Sequence, residues 1–218
     1  RPFTLTGTLA RLPLAGGAPR EVLEGVQWAD WGPGGDLAVV RDATGRNCLE
    51  YPIGKTVLET GGWINWARVS RDGARVACIE HPIQGDDGGN IVVVERGGQS
   101  RVLSSGWVSA AGLAWSADGR EVWFTATRTG IGRSLYAVTL DGDERIVDQV
   151  MGTMTLHDIA PDGRALVARD ANRMHMYFRP GDGGSERDLS WMDWSLCRAI
   201  SRDGKLVAEL SGGEMTYQ

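Results

Sequence analysis

The chain has little of what metalloenzymes and nucleic-acid-binding proteins need. Its 218 residues include three histidines and three cysteines, and none of these forms a CxxC, an HExxH or another metal-binding spacing. A formal net charge of −5 leaves no basic stripe that could neutralise a phosphate backbone, which argues against nucleic acid as a partner. No apolar run is long enough to cross a bilayer.

Catalytic motifs are missing as well. The sequence has no GxSxG nucleophile elbow, and it lacks the Gly-rich loop, the His-Arg-Asp and the Asp-Phe-Gly segments of a protein kinase. We therefore expect this chain not to be an enzyme and to hold no cofactor and no metal ion. With no initiator Met and no signal peptide, the opening RPFTLTG predicts a piece of a longer protein, and the compartment stays open.

What the chain does have is a short repeated pattern. Val69–Glu80 reads VSRDGARVACIE, and a degenerate copy, WGPGGDLAVV, begins at Trp31. The other copies begin at Trp115, Ile159 and Ile200. The Asp of the repeat, replaced by Gly34 in the degenerate copy, recurs at spacings of 38, 46, 44 and 41 residues. This regular self-similarity predicts a repeat protein.

Each copy predicts a β-hairpin, because an Asp-Gly pair separates two runs rich in apolar and β-branched residues. We expect a two-residue turn at the Asp-Gly pair, and a turn one residue shorter in the degenerate copy. The second half of a repeat supplies two more strands, such as NIVVVE and SRVLSS. Four antiparallel strands in about 40 to 45 residues predict the blades of an all-β β-propeller, with almost no helix.

We assign the whole chain, residues 1–218, to one propeller domain of about five blades' worth of strands. The predicted units are a half blade at 1–24, blades at about 25–60, 61–106, 107–152 and 153–190, and a half blade at 191–218. The two half blades could combine and close a five-bladed ring. We favour the alternative, an open arc of a larger propeller.

The repeated core Ser-x-Asp-Gly-x-x-(Val/Leu) resembles the WD-like propeller repeat of the TolB type. One copy is carried by Ser70, Asp72, Gly73 and Val76. The matching residues are Ser116, Asp118, Gly119 and Val122, then Pro161, Asp162, Gly163 and Leu166, then Ser201, Asp203, Gly204 and Val207. The resemblance covers nearly the whole chain and implies the fold, but propellers host many unrelated functions.

Stretches such as GVQWADWGPGGDLAVVRD also resemble propeller regions C-terminal to bacterial serine/threonine protein kinases. That resemblance implies a non-catalytic sensor or binding module, with ATP and Mg²⁺ used elsewhere in a membrane-anchored parent and the propeller outside the cytoplasm. Two alternatives stay open: the accessory propeller of a prolyl-oligopeptidase-like peptidase, and a TolB-like envelope protein that docks a protein partner. The expected partners are a protein, peptide or small-molecule ligand and other domains of the parent.

In such propellers, partners usually bind on the face opposite the Asp-Gly turns, where the longer loops lie. The candidate binding residues on and beside that face are Trp63, His81, Asp86, Asp87, Trp107, Arg128, Arg133, Asp170 and Arg173. We expect Trp63 and Trp107, near the starts of inner strands, to stand beside the central channel. Loop 81–90 carries adjacent carboxylates but lacks the ligand spacing of an EF-hand, which predicts a solvated acidic loop rather than a Ca²⁺ site.

Two residue types carry structural predictions. Trp31 and Trp115 occupy the same place in their repeats, so we expect both to fill the space between blades. Cys48, Cys78 and Cys197 fall in different repeats, and we expect all three to be small buried side chains.

Overall fold

The computed structural model describes residues 6–43, 45–130, 132–150, 152–170, 174–192 and 194–211, and these ranges contain β-strands and no helix. The strands are β1 (Gly7–Arg11), β2 (Arg20–Trp31), β3 (Leu37–Ala43), β4 (Arg46–Glu50), β5 (Thr56–Thr60), β6 (Trp63–Val69), β7 (Arg75–His81), β8 (Gly89–Glu95), β9 (Ser100–Trp107), β10 (Ser109–Trp115), β11 (Glu121–Thr127), β12 (Ser134–Thr139), β13 (Glu144–Asp148), β14 (Thr153–Ile159), β15 (Ala165–Asp170), β16 (Tyr177–Phe178), β17 (Arg187–Asp188), β18 (Trp194–Ile200) and β19 (Leu206–Ser211).

The strands form antiparallel sheets of sequential neighbours. Strands β6–β9 and β10–β13 each make a four-stranded sheet, and β1–β5 make a five-stranded one in which β2 pairs with both β1 and β3. The remaining strands pair as three hairpins, β14–β15, β16–β17 and β18–β19. The predicted all-β fold of four-stranded antiparallel blades is confirmed. Among the strands described here no pairing joins β1 to β19, and the open arc stays a prediction.

The predicted hairpin turns are present, but they are longer than two residues. Ser70 N donates to Arg75 O and Gly73 N donates to Ser70 O, each at 2.8 Å, so the loop spans residues 71–74. Gly73 has φ +69°, which a Cβ would disfavour. Asp72 Oδ1 accepts hydrogen bonds from Ser70 Oγ at 2.6 Å and from Ala74 N at 3.0 Å. The side chains of the repeat's Ser and Asp therefore stabilise the turn through hydrogen bonds.

Turn length varies between the copies. The turn at Ser116 closes on Glu121, as the one at Ser70 closes on Arg75. The degenerate turn closes one residue earlier, between Gly32 and Asp36, which confirms its predicted shortening. The turns at Ala160 and Ser201 share this shorter form, although their Asp-Gly sequences match the longer ones.

The hydrophobic core lies between adjacent sheets, and β7 shows how it is built. Val76 and Cys78 belong to the cluster between the first and second sheets, and Ala77 and Ile79 to the cluster between the second and third. Because successive side chains of a strand point to opposite faces, a strand packed on both sides must be continuously apolar. All four side chains are at most 1% exposed.

The side chains in the C-terminal copy of the repeat are much more exposed to solvent than those in the central copies. Leu206 lies opposite Ile200 as Val76 lies opposite Val69, yet Leu206 is 37% exposed and Val76 is 1% exposed. Cys197 is exposed, whereas Cys48 and Cys78 are buried, so the burial predicted for cysteine is wrong for Cys197. The sequence pattern is the same in these repeats, but the neighbouring sheet that covers β7 has no counterpart in contact with β19 among the described residues.

The two equivalent tryptophans also differ in their surroundings. Trp115 is 5% exposed and its Nε1 donates to Arg68 O of the preceding sheet at 2.9 Å, which confirms its place between blades. Trp31 is 55% exposed, and Arg11 Cζ lies 4.9 Å from its ring centroid. The prediction for Trp31 is therefore wrong: its ring lies beside Arg11 of β1, which belongs to the same sheet as Trp31.

Each inner strand pairs with its neighbour through a β-bulge at the same place. The register shifts fall at Val26/Trp28, Asn65/Arg68, Ala111/Leu113, Leu156/Asp158 and Cys197/Ala199. Within the β6 bulge, Trp66 has φ +50°, and its ring lies 4.7 Å from that of Trp28 and 5.8 Å from that of His157.

Arg68 joins four inner strands at these bulges. Its Nη1 lies 3.3 Å from Asp30 Oδ1 on β2, and its Nη2 donates to His157 O on β14 at 2.6 Å. Its Nε donates to Leu113 O on β10 at 3.4 Å. Burial raises the pKa of Asp30, against the lowering effect of the Val69 N–H and of Arg68. One guanidinium thus connects the first three sheets to the β14–β15 hairpin.

Candidate functional site

The loop between β7 and β8, residues 82–88, is fixed at its base by two side chains. Trp63 Nε1 donates to Asp86 O at 2.9 Å, and His81 Nδ1 donates to Gly88 O at 3.0 Å. Gln84 Nε2 also donates to Gly62 O at the start of β6. The loop is rich in Gly and Asp, but these bonds from the neighbouring strands hold its backbone in place.

His81 is completely buried beneath the loop. Its ring stacks on Trp63 with the centroids 3.9 Å apart, and its Nε2 lies 3.0 Å from Asn65 Oδ1. Burial lowers the pKa of His81 to about 4, although the nearby carboxylates of Asp87, Glu80 and Asp86 act in the opposite direction. At neutral pH the imidazole is therefore uncharged. With its proton on Nδ1 towards Gly88 O, its Nε2 is an acceptor, which requires the Asn65 amide to be turned so that its NH₂ group faces the ring.

A cleft of about 680 Å³ opens beside this loop. Its walls are the loop and the start of β8, residues 82–90, the junction of β9 and β10 at residues 106–109, and residues 129–130 after β11. Ile83 and Val108 bring apolar surface to it and are 64% and 49% exposed. Asp86, Asp87 and Asn90 bring polar groups. The cleft thus has the mixed lining that small ligands and peptide side chains use.

The two adjacent carboxylates of the cleft have different surroundings. Asp87 Oδ2 accepts from Ser109 Oγ at 2.7 Å, and Arg133 Nη1 donates to the same Ser109 oxygen at 3.1 Å. Asp86 is exposed, and its Oδ1 accepts from Gly88 N at 2.6 Å. Within the described residues, neither carboxylate lies in an ion pair. Asp87 is linked to a cation through one hydroxyl, whereas Asp86 faces solvent.

Trp107 lines the cleft, and Arg128 packs against it. Arg128 Cζ lies 4.0 Å from the Trp107 ring centroid, and its Nη2 donates to Glu144 Oε2 at 2.9 Å. Trp107 is 4% exposed, and its Nε1 donates to Ser104 Oγ at 2.7 Å. The guanidinium covers the indole and is itself held by a carboxylate, so this corner of the cleft is rigid.

The channel position predicted for Trp107 is wrong, whereas that of Trp63 stays a prediction. Trp107 ends β9, the outer strand of its sheet, and packs against Phe124 and Tyr136. Trp63 does begin the inner strand β6, but it is 5% exposed because His81 and the loop cover it. Both rings support the loop and the cleft wall from inside.

Seven of the nine predicted residues gather around this cleft or support its walls: Trp63, His81, Asp86, Asp87, Trp107, Arg128 and Arg133. Arg133 also donates to Thr155 Oγ1 and Met154 O on β14. Asp170 ends β15, where it lies opposite Thr153, and Arg173 lies outside the described residues. Sequence patterns did not indicate Ile83, Val108 or Ser109, because a single aliphatic residue in a loop or a single serine at the start of a strand carries no signal of its own.

Two further observations limit the chemistry. In the ranges that the structure describes, no group of three or more His, Cys, Asp or Glu side chains is arranged to hold a metal ion. Likewise, none of the described segments forms a helix with the length and apolar character needed to traverse a bilayer.

Comparison with known proteins connects the chain to propeller structures. No family model matches the chain, and no curated protein matches it. The putative TolB of Agrobacterium tumefaciens is similar, with a TM-score of 0.51, 18% identity and coverage of 79% of this chain. A puromycin-hydrolyzing peptidase of Mycobacterium tuberculosis aligns with 86% of the chain at a TM-score of 0.56 and 16% identity. A prolyl endopeptidase aligns with 80% at a TM-score of 0.52 and 18% identity.

The chain covers only part of each of these proteins. It spans 65% of the Agrobacterium TolB chain, 35% of the mycobacterial peptidase and 31% of the prolyl endopeptidase. At such low identity the likeness shows the fold alone, which is a TolB-like β-propeller.

Proposed function

We propose that this chain is a non-catalytic binding module of a larger bacterial protein, and that the cleft beside loop 82–88 holds its ligand. The support is the rigidity of the loop. Buried Trp63 and His81 fix the backbone of Asp86 and Gly88, so the cleft exists before any ligand arrives. A preformed site spends less of its binding energy on ordering the protein.

The polar groups of the cleft favour binding over catalysis. Ser109 Oγ donates to Asp87 rather than to an imidazole, so it lacks the base that activates a serine nucleophile. Both ring nitrogens of His81 already lie at hydrogen-bond distance from protein atoms, and the ring is buried. Ser109 and His81 therefore do not form a nucleophile–base pair that could transfer a proton to or from a ligand.

A fragment screen by two-dimensional ¹H–¹⁵N NMR tests the binding role. We expect the amide shifts caused by bound fragments to concentrate on residues 83–90 and 106–109. The variant Ile83→Ser should remove most of these hits, because it takes away exposed apolar surface from the cleft.

Ile146→Ser is the matched control, since Ile146 is 55% exposed and lies on β13, outside the cleft lining. It should leave the hits unchanged. Fragment shifts spread evenly over the surface, or hits that survive Ile83→Ser, would contradict the assignment of this cleft.

We further propose that the parent protein is a serine/threonine protein kinase with this propeller in its C-terminal region. The support is the sequence resemblance of segments such as residues 25–42 to the propeller regions of such kinases. ATP and Mg²⁺ would then act in the kinase domain. The complete reading frame tests this: a Gly-rich loop, a His-Arg-Asp and an Asp-Phe-Gly segment upstream are expected, and their absence would rule the kinase out.

A second candidate is the accessory propeller of a prolyl-oligopeptidase-like peptidase. The similarity to the two peptidase structures favours it as much as the TolB similarity favours an envelope protein. The same reading frame separates the candidates, because this one requires a hydrolase domain with a GxSxG motif beside the propeller.

A further inference from the structure

We propose that the ligand of the cleft carries a primary ammonium group on an aliphatic chain, with the ammonium beside Asp86 and the chain against Ile83 and Val108. This inference rests on the proposed binding function of the cleft. The same chemistry occurs in a lysine side chain of a protein partner and in a free aliphatic amine.

The charge of the cleft favours a cation. Asp86 and Asp87 bring two carboxylates to its lining. The two arginines beside it already have partners: Arg128 lies on the Trp107 ring and bonds to Glu144, and Arg133 bonds to Ser109 and Thr155. An anionic ligand would meet the Asp86 carboxylate without a free guanidinium to offset it.

Asp86 is the carboxylate that remains available. Asp87 is tied to Ser109, which also accepts a hydrogen bond from Arg133. The backbone N–H of Gly88 bonds to Oδ1 of Asp86 and orients the carboxylate, while no bond to its Oδ2 is formed in the described part of the chain. An ammonium can take this oxygen as an acceptor at little cost, because the carboxylate is already held in place.

The apolar lining favours an aliphatic neighbour to the charge. Ile83 is on the same loop as Asp86, three positions before it, and Val108 lies across the cleft between β9 and β10. Both side chains are exposed beside the cleft. A methylene chain buried between them would gain about 0.8 kcal/mol for each CH₂ removed from water.

Three six-carbon probes compare the effect of charge: hexylammonium, hexanol and hexanoate, each titrated into ¹⁵N-labelled protein at low salt. We expect hexylammonium to bind with millimolar affinity, roughly two- to fivefold tighter than hexanol, the gain typical of one exposed ion pair. Hexanoate should bind more weakly than hexanol. The shifts should concentrate on the amides of Gly85, Asp86, Gly88 and Val108.

Asp86→Asn should reduce the affinity for hexylammonium to that for hexanol. An Asn side chain keeps the oxygen that accepts from Gly88 N, so the loop should retain its conformation and its spectrum. Asp141→Asn is the matched control, because Asp141 is exposed in the turn between β12 and β13, at the end of the strands opposite to the cleft. It should leave the preference for hexylammonium unchanged.

Equal binding of hexylammonium and hexanol, or a preference that survives Asp86→Asn, would overturn the inference while leaving the cleft as a binding site. No cleft shift with any of the three probes at tens of millimolar would also overturn it. The proposed binding function would fall only if the fragment screen left the cleft empty as well.

A second pair of probes distinguishes the two sources of the ammonium. A short peptide with one lysine between blocked termini should bind tighter than 1,5-diaminopentane if a protein partner is the source, and more weakly if a free amine is. Binding of neither in a protein that binds hexylammonium would overturn both sources and, with them, the inference about the natural ligand.

Discussion

A single buried histidine sets how firmly loop 82–88 is held. The imidazole of His81 stacks on Trp63, and its two nitrogens lie at hydrogen-bond distance from Gly88 and Asn65. Both polar atoms of the ring therefore have a partner. The ring is fully buried, and a charge on it would be poorly solvated. The loop therefore depends on His81 being neutral.

The protein should lose stability in mild acid through this residue. The unfolded chain takes up a proton on His81 as pH falls through 6.5, whereas the folded chain does so only near pH 4. Between these values the unfolded state binds more protons, so the free energy of unfolding decreases as pH falls, by up to about 3 kcal/mol. Urea unfolding between pH 7 and pH 4 measures the loss.

The comparison variant is His81→Gln, whose stability should vary less over this pH interval than that of the wild type. His175→Gln, which alters a histidine with a 45% exposed side chain, should behave like the wild type. NMR titration of the His81 ring in the wild-type protein provides a readout that does not depend on folding of a variant. A ring pKa near 6.5 would contradict the prediction.

At the scale of the element, glycine fixes how closely neighbouring inner strands approach. Gly112 sits in the bulge of β10 with φ +83°, and a Cβ there would lie 2.4 Å from Leu156 O and 2.5 Å from Leu156 N on β14. Neither backbone atom can move without shifting β14. The bulge thus lets two blades come together through main-chain contact.

Gly112→Ala should destabilise the protein by about 3 kcal/mol, combining backbone strain with displacement of β14. Gly119→Ala is the matched control: Gly119 has φ +71°, but nothing lies within 4 Å of the added Cβ. It should cost about 1 kcal/mol, the backbone penalty alone. Equal losses in urea unfolding would show that the contact with Leu156 does not limit the packing of β14.

The sequence allowed the elements to be predicted better than their surroundings. Alternation, Asp-Gly pairs and a regular period are local signals, so hairpins and four-stranded blades could be predicted from them. Trp31 and Trp115 have the same local sequence position, but their burial depends on which sheet lies in front, which a local pattern does not contain. The bulges and the turn lengths depend in the same way on register between strands.

For the candidate site, the sequence allowed us to predict which loops share a face, but not which side chains on that face are buried. The rule that loops on one edge of a blade share a face brought His81, Asp86 and Arg128 to one region. The same rule could not show that Trp107 is covered by Arg128 or that His81 is sealed under its own loop. Those facts arise from contacts between different strands.

At the scale of the whole molecule, burial is uneven between repeats that look alike. Val76 on β7 is enclosed between two sheets, whereas Leu206 at the equivalent place on β19 is 37% exposed. The C-terminal repeat therefore presents apolar surface to solvent, which in general promotes association between protein molecules.

Leu206→Lys should lower self-association and change the free energy of unfolding little, because the ammonium can stay hydrated at an exposed position. Val76→Lys should unfold the protein, since the same group would be buried without a partner. Sedimentation velocity and urea unfolding measure the two effects. Equal destabilisation by both substitutions would mean that β19 is covered in solution.

The four-strand contact of Arg68 has a kinetic consequence. Its guanidinium bonds to His157, 89 positions along the chain, and to Asp30, 38 positions before it. Contacts at such separations form late in folding, because long stretches of chain must be ordered before they are made. Removal of the guanidinium should therefore accelerate unfolding while leaving the refolding rate almost unchanged. We therefore expect the contacts of Arg68 to slow the separation of blades after they have assembled.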